Sequence, residues 1–263
     1  MARYGWRPDF PDHRDRRFRA QQRNVRTLPE RVDWSQNLPP CYDQGNLGSC
    51  TANALSGAIQ FLELTPVMPS RLFIYYNERE LEGSTDQDAG AMIRDGIKTL
   101  VTEGACPEEL WPYVPVCYAQ KPSRACYEAA EGLSVLQYER VDNTVLEDLL
   151  EALTLGPVVG GFTVYASFES RAASSRGMVP MPGPDEEPVG GHAILVTGYD
   201  QAAGRFLVRN SWGTSWGIKG YFEIPFQYFT NPDLADDFWL LTRLTLKQRS
   251  KNEDRPLTPI SHL

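Results

Sequence analysis

The chain predicts an α+β fold in two lobes, with helices in the first half and antiparallel strands in the second. Two patterns carry that expectation. From Cys50 to about Thr102, apolar residues recur at helical spacing. After Pro157 the texture changes to short β-branched and aromatic runs separated by turn residues. A third observation sets the scale: 263 residues, 41% hydrophobic and 23% charged, can bury a substantial core in one domain or two joined lobes.

Residues 1–27 contain Pro8, Pro11 and no sustained hydrophobic period, so they read as an extended arm without a core of its own. Nine arginines among residues 1–31 stand against Asp9, Asp12, Asp15 and Glu30, a net of +5, which leaves −13 for the rest of a chain whose total is −8. The nearest large opposite charge to this basic arm is the protein's own surface, so the arm is expected on the body rather than on nucleic acid. Fully extended, it reaches about 90 Å, against a radius of gyration near 17 Å for the body, so length permits it to cross a cleft. Asp185, Glu186 and Glu187 are candidates for drawing it there.

The folded domain is expected over 28–246, beginning at Leu28-Pro29-Glu30-Arg31-Val32-Asp33-Trp34. A loop rich in Gly, Asn and Asp leads to Cys50, after which Ala52, Leu55, Ile59 and Leu62 mark a buried helix that Cys50 opens. Further helices are expected over 71–81 and 89–102, the second stopped by a left-handed cap at Gly104. Thr144 and Glu147 have capping-box spacing before another helix, which Gly156-Pro157 ends. Strands follow over 157–164, 193–199, 205–210, 220–224 and 238–246, with a hairpin connection at 200–204. Residues 247–263, charged and with two prolines, read as a disordered tail.

Several classes are disfavoured. No run of about 18 uncharged apolar residues exists, so a membrane span is not expected, and the start lacks the apolar core of a secretory signal. The sequence leaves the compartment open, and a cytoplasmic place or a non-classical export route is the expectation. Cys41, Cys50, Cys106, Cys117 and Cys126 are odd in number, without a C-x-x-C pair, and His192 is the one histidine away from the termini. No metal site and no cofactor are expected from so few ligands. A monomer is expected.

The chemistry lies in three short stretches: Cys50 after Gln44-Gly45-Asn46-Leu47-Gly48-Ser49, His192 between Gly191 and Ala193, and Asn210 before Ser211-Trp212-Gly213. A cysteine attacks as thiolate, which its ordinary pKa of about 8.5 makes scarce at neutral pH. A helix N-terminus and an adjacent imidazolium both favour the thiolate, so a Cys50–His192 ion pair is expected. Asn210 is suited to orient the imidazole by accepting its second ring N–H, and Trp212 to shield that bond from water. The oxyanion formed on attack needs donors, supplied by the Cys50 N–H and the Gln44 side-chain amide.

With these motifs in this order, and intervals of 142 and 160 residues after Cys50, the chain resembles the papain-like cysteine peptidases, its compact bacterial members most of all. Pro29 to Trp34 is similar to the start of the mature family domain, Trp111-Pro112-Tyr113 to its mid-chain motif, and Asp88-Ala89-Gly90 to the glycine strip that pairs with substrate backbone. The resemblance runs from Leu28 to about Phe226. It implies a helical lobe and a β-barrel-like lobe with the active-site cleft between them, a thioester acyl-enzyme, and a peptide or protein substrate. It also places Gly90, Met92, Gly161 and Gly191 at substrate-binding positions, with Gly161 and Gly191 walling an open, apolar pocket and Met92 near its other side. Two departures stand out: Leu47 replaces a disulfide cysteine and Thr51 the aromatic residue that usually follows the nucleophile, so the usual disulfide framework is not expected. The arm, shorter than the family's helical pro-region, is expected over the cleft as an inhibitory segment. Two other functions use the same residues: acyl transfer or deamidation of a protein partner, and a catalytically silent binding protein.

Overall fold

In a computed structural model, residues 4–21, 25–62 and 67–246 are described. The expected tail beyond Leu246 lies outside them. The elements run β1 (Arg31–Asp33), α1 (Cys50–Leu62), α2 (Arg71–Leu81), α3 (Ile93–Thr102), α4 (Arg124–Ala130), β2 (Leu133–Val141), α5 (Leu146–Leu155), β3 (Val158–Tyr165), α6 (Arg171–Arg176), β4 (Pro188–Asp200), β5 (Arg205–Arg209), β6 (Tyr221–Pro225), α7 (Phe226–Thr230) and β7 (Ala235–Leu246). Helices first and an antiparallel sheet second is the α+β arrangement that the periodicity predicts.

The sheet has the order β2-β7-β3-β4-β5-β6, with β1 added to the far end of β4. It does not close on itself among the described residues. The expected barrel-like lobe is instead an open antiparallel sheet, with irregular register at three of its central pairings. One apolar cluster joins α1, α2 and α3 to the inner face of β4 and β7 through Leu55, Ile59, Ile97, Leu195 and Trp239. A second fills the strand lobe with Phe162, Phe168, Phe206, Phe222, Phe229 and Phe238. His192 and Cys50 sit where the two meet, because α1 packs directly on β4.

Strand β4 begins at Pro188 rather than 193 and β7 at Ala235 rather than 238, and two helix starts differ from expectation for local reasons. Helix α3 begins at Ile93 rather than 89, because Gly90, in the left-handed region at φ +68°, and Ala91 are used to pair with the arm. Thr144 does not cap α5: the N-cap is Val145, and Asp142 Oδ1 takes both the N–H and the hydroxyl of Thr144 in a competing turn. The expected cap at Gly104 has φ +79°, and a side chain there would strike the carbonyls of Ala130 and Leu133.

Glu78 of α2 is fully buried against α1 and α3. Its Oε1 accepts a 2.5 Å bond from Thr51 Oγ1, and Gly96 leaves room for Oε2, which has no partner among the described residues. Burial, only partly offset by Thr51 and Arg79, pushes this carboxyl up to about 8. A folded-state pKa above the ordinary 4.5 means that the folded chain holds a proton which the unfolded chain loses first. The stabilising contribution is therefore full below about 4.5 and lost as pH rises through about 8. Glu78→Gln is expected to flatten this dependence and to raise stability at pH 9 by roughly 2 kcal/mol, read from urea melts at pH 5 and pH 9. An unchanged pH slope would refute the assignment.

Candidate active site

The nucleophile position is set by backbone geometry. Cys50 is the first residue of α1, where helix N–H groups lack intrahelical acceptors, and its sulfur is completely buried. The Ala193 N–H of β4 approaches Cys50 Sγ at 3.4 Å, so the thiol lies against the strand residue next to His192. His192 is likewise fully buried. Its Nε2 lies 2.8 Å from Asn210 Oδ1, which also accepts the Ser211 N–H at 2.8 Å. With that oxygen already an acceptor, Nε2 must carry the proton, which leaves Nδ1 as the basic nitrogen. Nδ1 has no partner among the described residues. Trp212 covers this arrangement, its ring centroid 5.0 Å from the imidazole and tilted by 33°.

Gln44 is held just before the helix. Its Nε2 donates to the Leu47 carbonyl at 2.8 Å, and its Oε1 accepts from Ser211 Oγ at 2.5 Å. These bonds fix the amide orientation from both sides, and the Gln44 N–H donates to the Ser211 carbonyl at 2.8 Å, tying the loop to the Asn210 segment.

All five cysteines are free thiols. Cys50 is the one among them that lies against the histidine-bearing strand.

The arm occupies the cleft. Trp6 forms a bridge in parallel register with Ala91: the Ala91 N–H donates to the Gly5 carbonyl at 2.8 Å and the Arg7 N–H to the Ala91 carbonyl at 3.1 Å. The Trp6 N–H donates to the Gly191 carbonyl at 2.9 Å, and the Gly5 N–H is directed at Cys50 Sγ. Glycine is required at three contact points. A Cβ on Gly5 would overlap the Gly48 carbonyl, one on Gly90 the Gly5 carbonyl, and one on Gly161 the Trp6 indole. Tyr4 stacks edge-on to His192 at 6.0 Å and donates its hydroxyl to Glu169 at 2.5 Å.

Gly90, Gly161 and Gly191 all lie against Gly5 or Trp6 of the arm. Met92 does not take part in the backbone pairing: Ala91 does, while the Met92 N–H donates to Glu82 at 2.7 Å. The pocket expected to be open and apolar is filled by an indole and has a carboxylate, Asp237, beneath it.

The electrostatic expectations need two corrections. First, with the arm in place burial works against a Cys50–His192 ion pair. Burial pushes the Cys50 thiol up to about 11 despite amide donors from Ala193, Gly5 and Thr51, and the Glu78 carboxyl adds to the rise. Burial likewise brings His192 down to about 4, opposed by the bond to Asn210. Covered by Tyr4, Gly5 and Trp6, both groups are favoured in their neutral forms.

Second, among the described residues no arm side chain pairs with Asp185, Glu186 or Glu187. Glu186 instead accepts from Gly183 N–H, and these three residues are partly or fully exposed. Among the described residues the holding charges are mostly reversed: Asp15 of the arm pairs with buried Arg94 at 2.6 Å and with Arg140 at 3.4 Å, while Arg7, on Glu82, pairs in the expected sense. Asp9 accepts from the Arg94 N–H at 3.1 Å and from Trp239 Nε1 at 3.0 Å. These acidic arm residues had no local signal in the sequence, since their partners lie about 80 to 230 positions away.

A family profile described as papain family cysteine protease matches residues 28–229. A peptidase C1-like protein of Acanthamoeba polyphaga mimivirus is 42% identical over 236 residues, covering 85% of this chain and 74% of that one. Cathepsin K of Gallus gallus is 28% identical over 73% of this chain, which spans 58% of that relative's length. The crystal structure of xylellain, a cysteine protease from Xylella fastidiosa, matches with a TM-score of 0.83 at 41% identity, covering 91% of this chain and 95% of that one. Similarity to a viral as well as a bacterial protein leaves the bacterial character expected from sequence without special support.

Proposed function

The chain belongs to the papain family of cysteine proteases, and on that premise we propose that Cys50, His192 and Asn210 hydrolyse peptide bonds through a thioester, under restraint by residues 1–27. The supporting observation is one chain of contacts: Asn210 Oδ1 on His192 Nε2 at 2.8 Å, and the neighbouring Ala193 N–H on Cys50 Sγ at 3.4 Å. Departure of the arm rehydrates both groups, which lowers the thiol pKa and raises that of the imidazole, and so favours the thiolate–imidazolium pair.

The thiolate then adds to the scissile carbonyl. The new oxyanion is stabilised by the Cys50 N–H at the start of α1 and the Gln44 amide. The His192 cation gives its proton to the departing amine, and the thioester remains on Cys50. His192, neutral again, takes a proton from water as the water attacks, and Cys50 leaves as thiolate with the carboxylic acid product released. Asn210 keeps the ring turned throughout, and Trp212 keeps water from their bond.

The domain unit is residues 28–246, and the arm acts as a short pro-segment. Its chemistry suits restraint without self-cleavage, because the thiol meets the Gly5 N–H and the Gly5 carbonyl is engaged by Ala91. A fluorogenic peptide amide and a thiol-directed epoxide test this reading. The expected result is two cleavage products with one water gained, and epoxide mass on Cys50 alone. Label on Cys41 or Cys106 in place of Cys50, or an amine conjugate or a one-dalton gain without cleavage, would overturn it.

A further inference from the structure

The hollow beside the nucleophile has walls without side chains and a floor with a carboxyl group. Gly161 and Gly191 form the walls: a Cβ on either would run into Trp6. Asp237 forms the floor and is fully buried. Its Oδ2 accepts the Trp6 indole N–H at 3.1 Å and the Asp9 N–H at 2.7 Å, while Oδ1 accepts from Arg140 at 2.8 Å. The irregular register between β3 and β7 falls here, with Gly161 opposite Asp236 and Asp237 in the left-handed region at φ +59°. A bulge of this kind re-aims a side chain, and this one sends a carboxylate under the cleft.

We infer that Asp237 sets the specificity of this hollow, and that the hollow takes a flat aromatic substrate side chain bearing a neutral N–H donor, tryptophan above phenylalanine or leucine. The inference rests on the peptidase reading above and names its substrate class. Both donors to Oδ2 belong to the arm, so its departure leaves that oxygen with none of them. An aliphatic or phenyl side chain would then seal an unpaired carboxylate oxygen in an apolar recess, which is the costly outcome. An indole restores the donor and fills the same walls. Chain direction does not alter this, because any side chain entering the hollow meets the same surfaces. A guanidinium is disfavoured, since Arg140 already lies against the same carboxylate and also against Asp236 at 2.8 Å.

The test uses the full-length Gly5→Val, Trp6→Ala chain, in which the clash with Gly48 weakens the seating of the arm and the indole is gone from the hollow, with fluorogenic peptides from a positional library. At the position that fills the hollow, tryptophan is compared with benzothienylalanine, a near-isostere whose sulfur replaces the N–H. A tryptophan advantage in kcat/KM of about tenfold or more is expected from a hydrogen bond to a charged acceptor. Asp237→Asn should collapse it. Asn tolerates the positive φ, and Arg140 will claim the amide oxygen, which turns the NH2 group toward the incoming indole.

Equal rates for the two peptides would overturn the inference while hydrolysis itself left the peptidase reading standing. So would a tryptophan advantage untouched by Asp237→Asn. No hydrolysis of any peptide, with Cys50 unlabelled by epoxide in a chain that melts cooperatively, would sink both. The peptide comparison needs no change at Asp237 and stands even where that variant fails to fold.

Discussion

Cys50→Ala, His192→Ala and the double variant are expected to lose turnover of a peptide amide by the same factor, on the order of 10⁴ or more, because groups that act as one unit cannot be lost twice. Each residue is fully buried in the covered state, so the controls differ. Cys50→Ala removes a sulfur that receives only amide N–H contacts and should leave the melting temperature nearly unchanged. His192→Ala leaves a cavity beneath Trp212 and frees the Asn210 carbonyl oxygen from one of its two donors, so a loss of about 2–3 kcal/mol is expected. Kinetics with matched denaturant melts separate the two effects. A double variant much worse than either single one would show that sulfur and imidazole act independently, contrary to the proposed mechanism.

Gly5→Val is expected to have the opposite sign. The added side chain would be driven into the Gly48 carbonyl, and backbone cannot step aside as a flexible side chain would. Overpacking of this kind costs about 1–3 kcal/mol, which moves a covered-to-open equilibrium by roughly five- to 150-fold. Hydrolysis of a small peptide should accelerate within that range, while Arg14→Ala, which removes an exposed side chain paired with its arm neighbour Asp12, should change nothing. Unaltered kinetics in Gly5→Val would mean that residues 1–27 do not restrain the site.

The legible parts of this molecule were those whose constraint is local. Cys50 at a helix start, the Gly191-His192-Ala193 segment and Asn210 before Ser211-Trp212 each carry their signal within a few residues. Helix α1 follows from the apolar stripe of Ala52, Leu55, Ile59 and Leu62. Strand β2 was missed because Leu133–Val141 interrupts its β-branched character with Gln137, Glu139 and Arg140 and has two register shifts against β7. The start of α3 was misplaced because its first residues answer to the arm rather than to helix periodicity. The charge argument failed through averaging: a body of net −13 nevertheless holds Arg94 and Arg140 where the arm presents Asp9 and Asp15. Likewise Asp237 is one of two adjacent aspartates in sequence, and only the bulge that turns it inward distinguishes it from its neighbour.

The arm and the cleft are one covalent thread, joined through Val25 to Leu28 and the β1–β4 pairing. Under the restraint proposed above, the arm is a tethered blocker whose effective concentration is set by its linker, on the millimolar scale, and no dilution of the protein changes it. The proposed restraint is then a property of each molecule by itself, the same in a crowded cell as in a cuvette. Whatever releases it must compete with that fixed concentration or cut the thread.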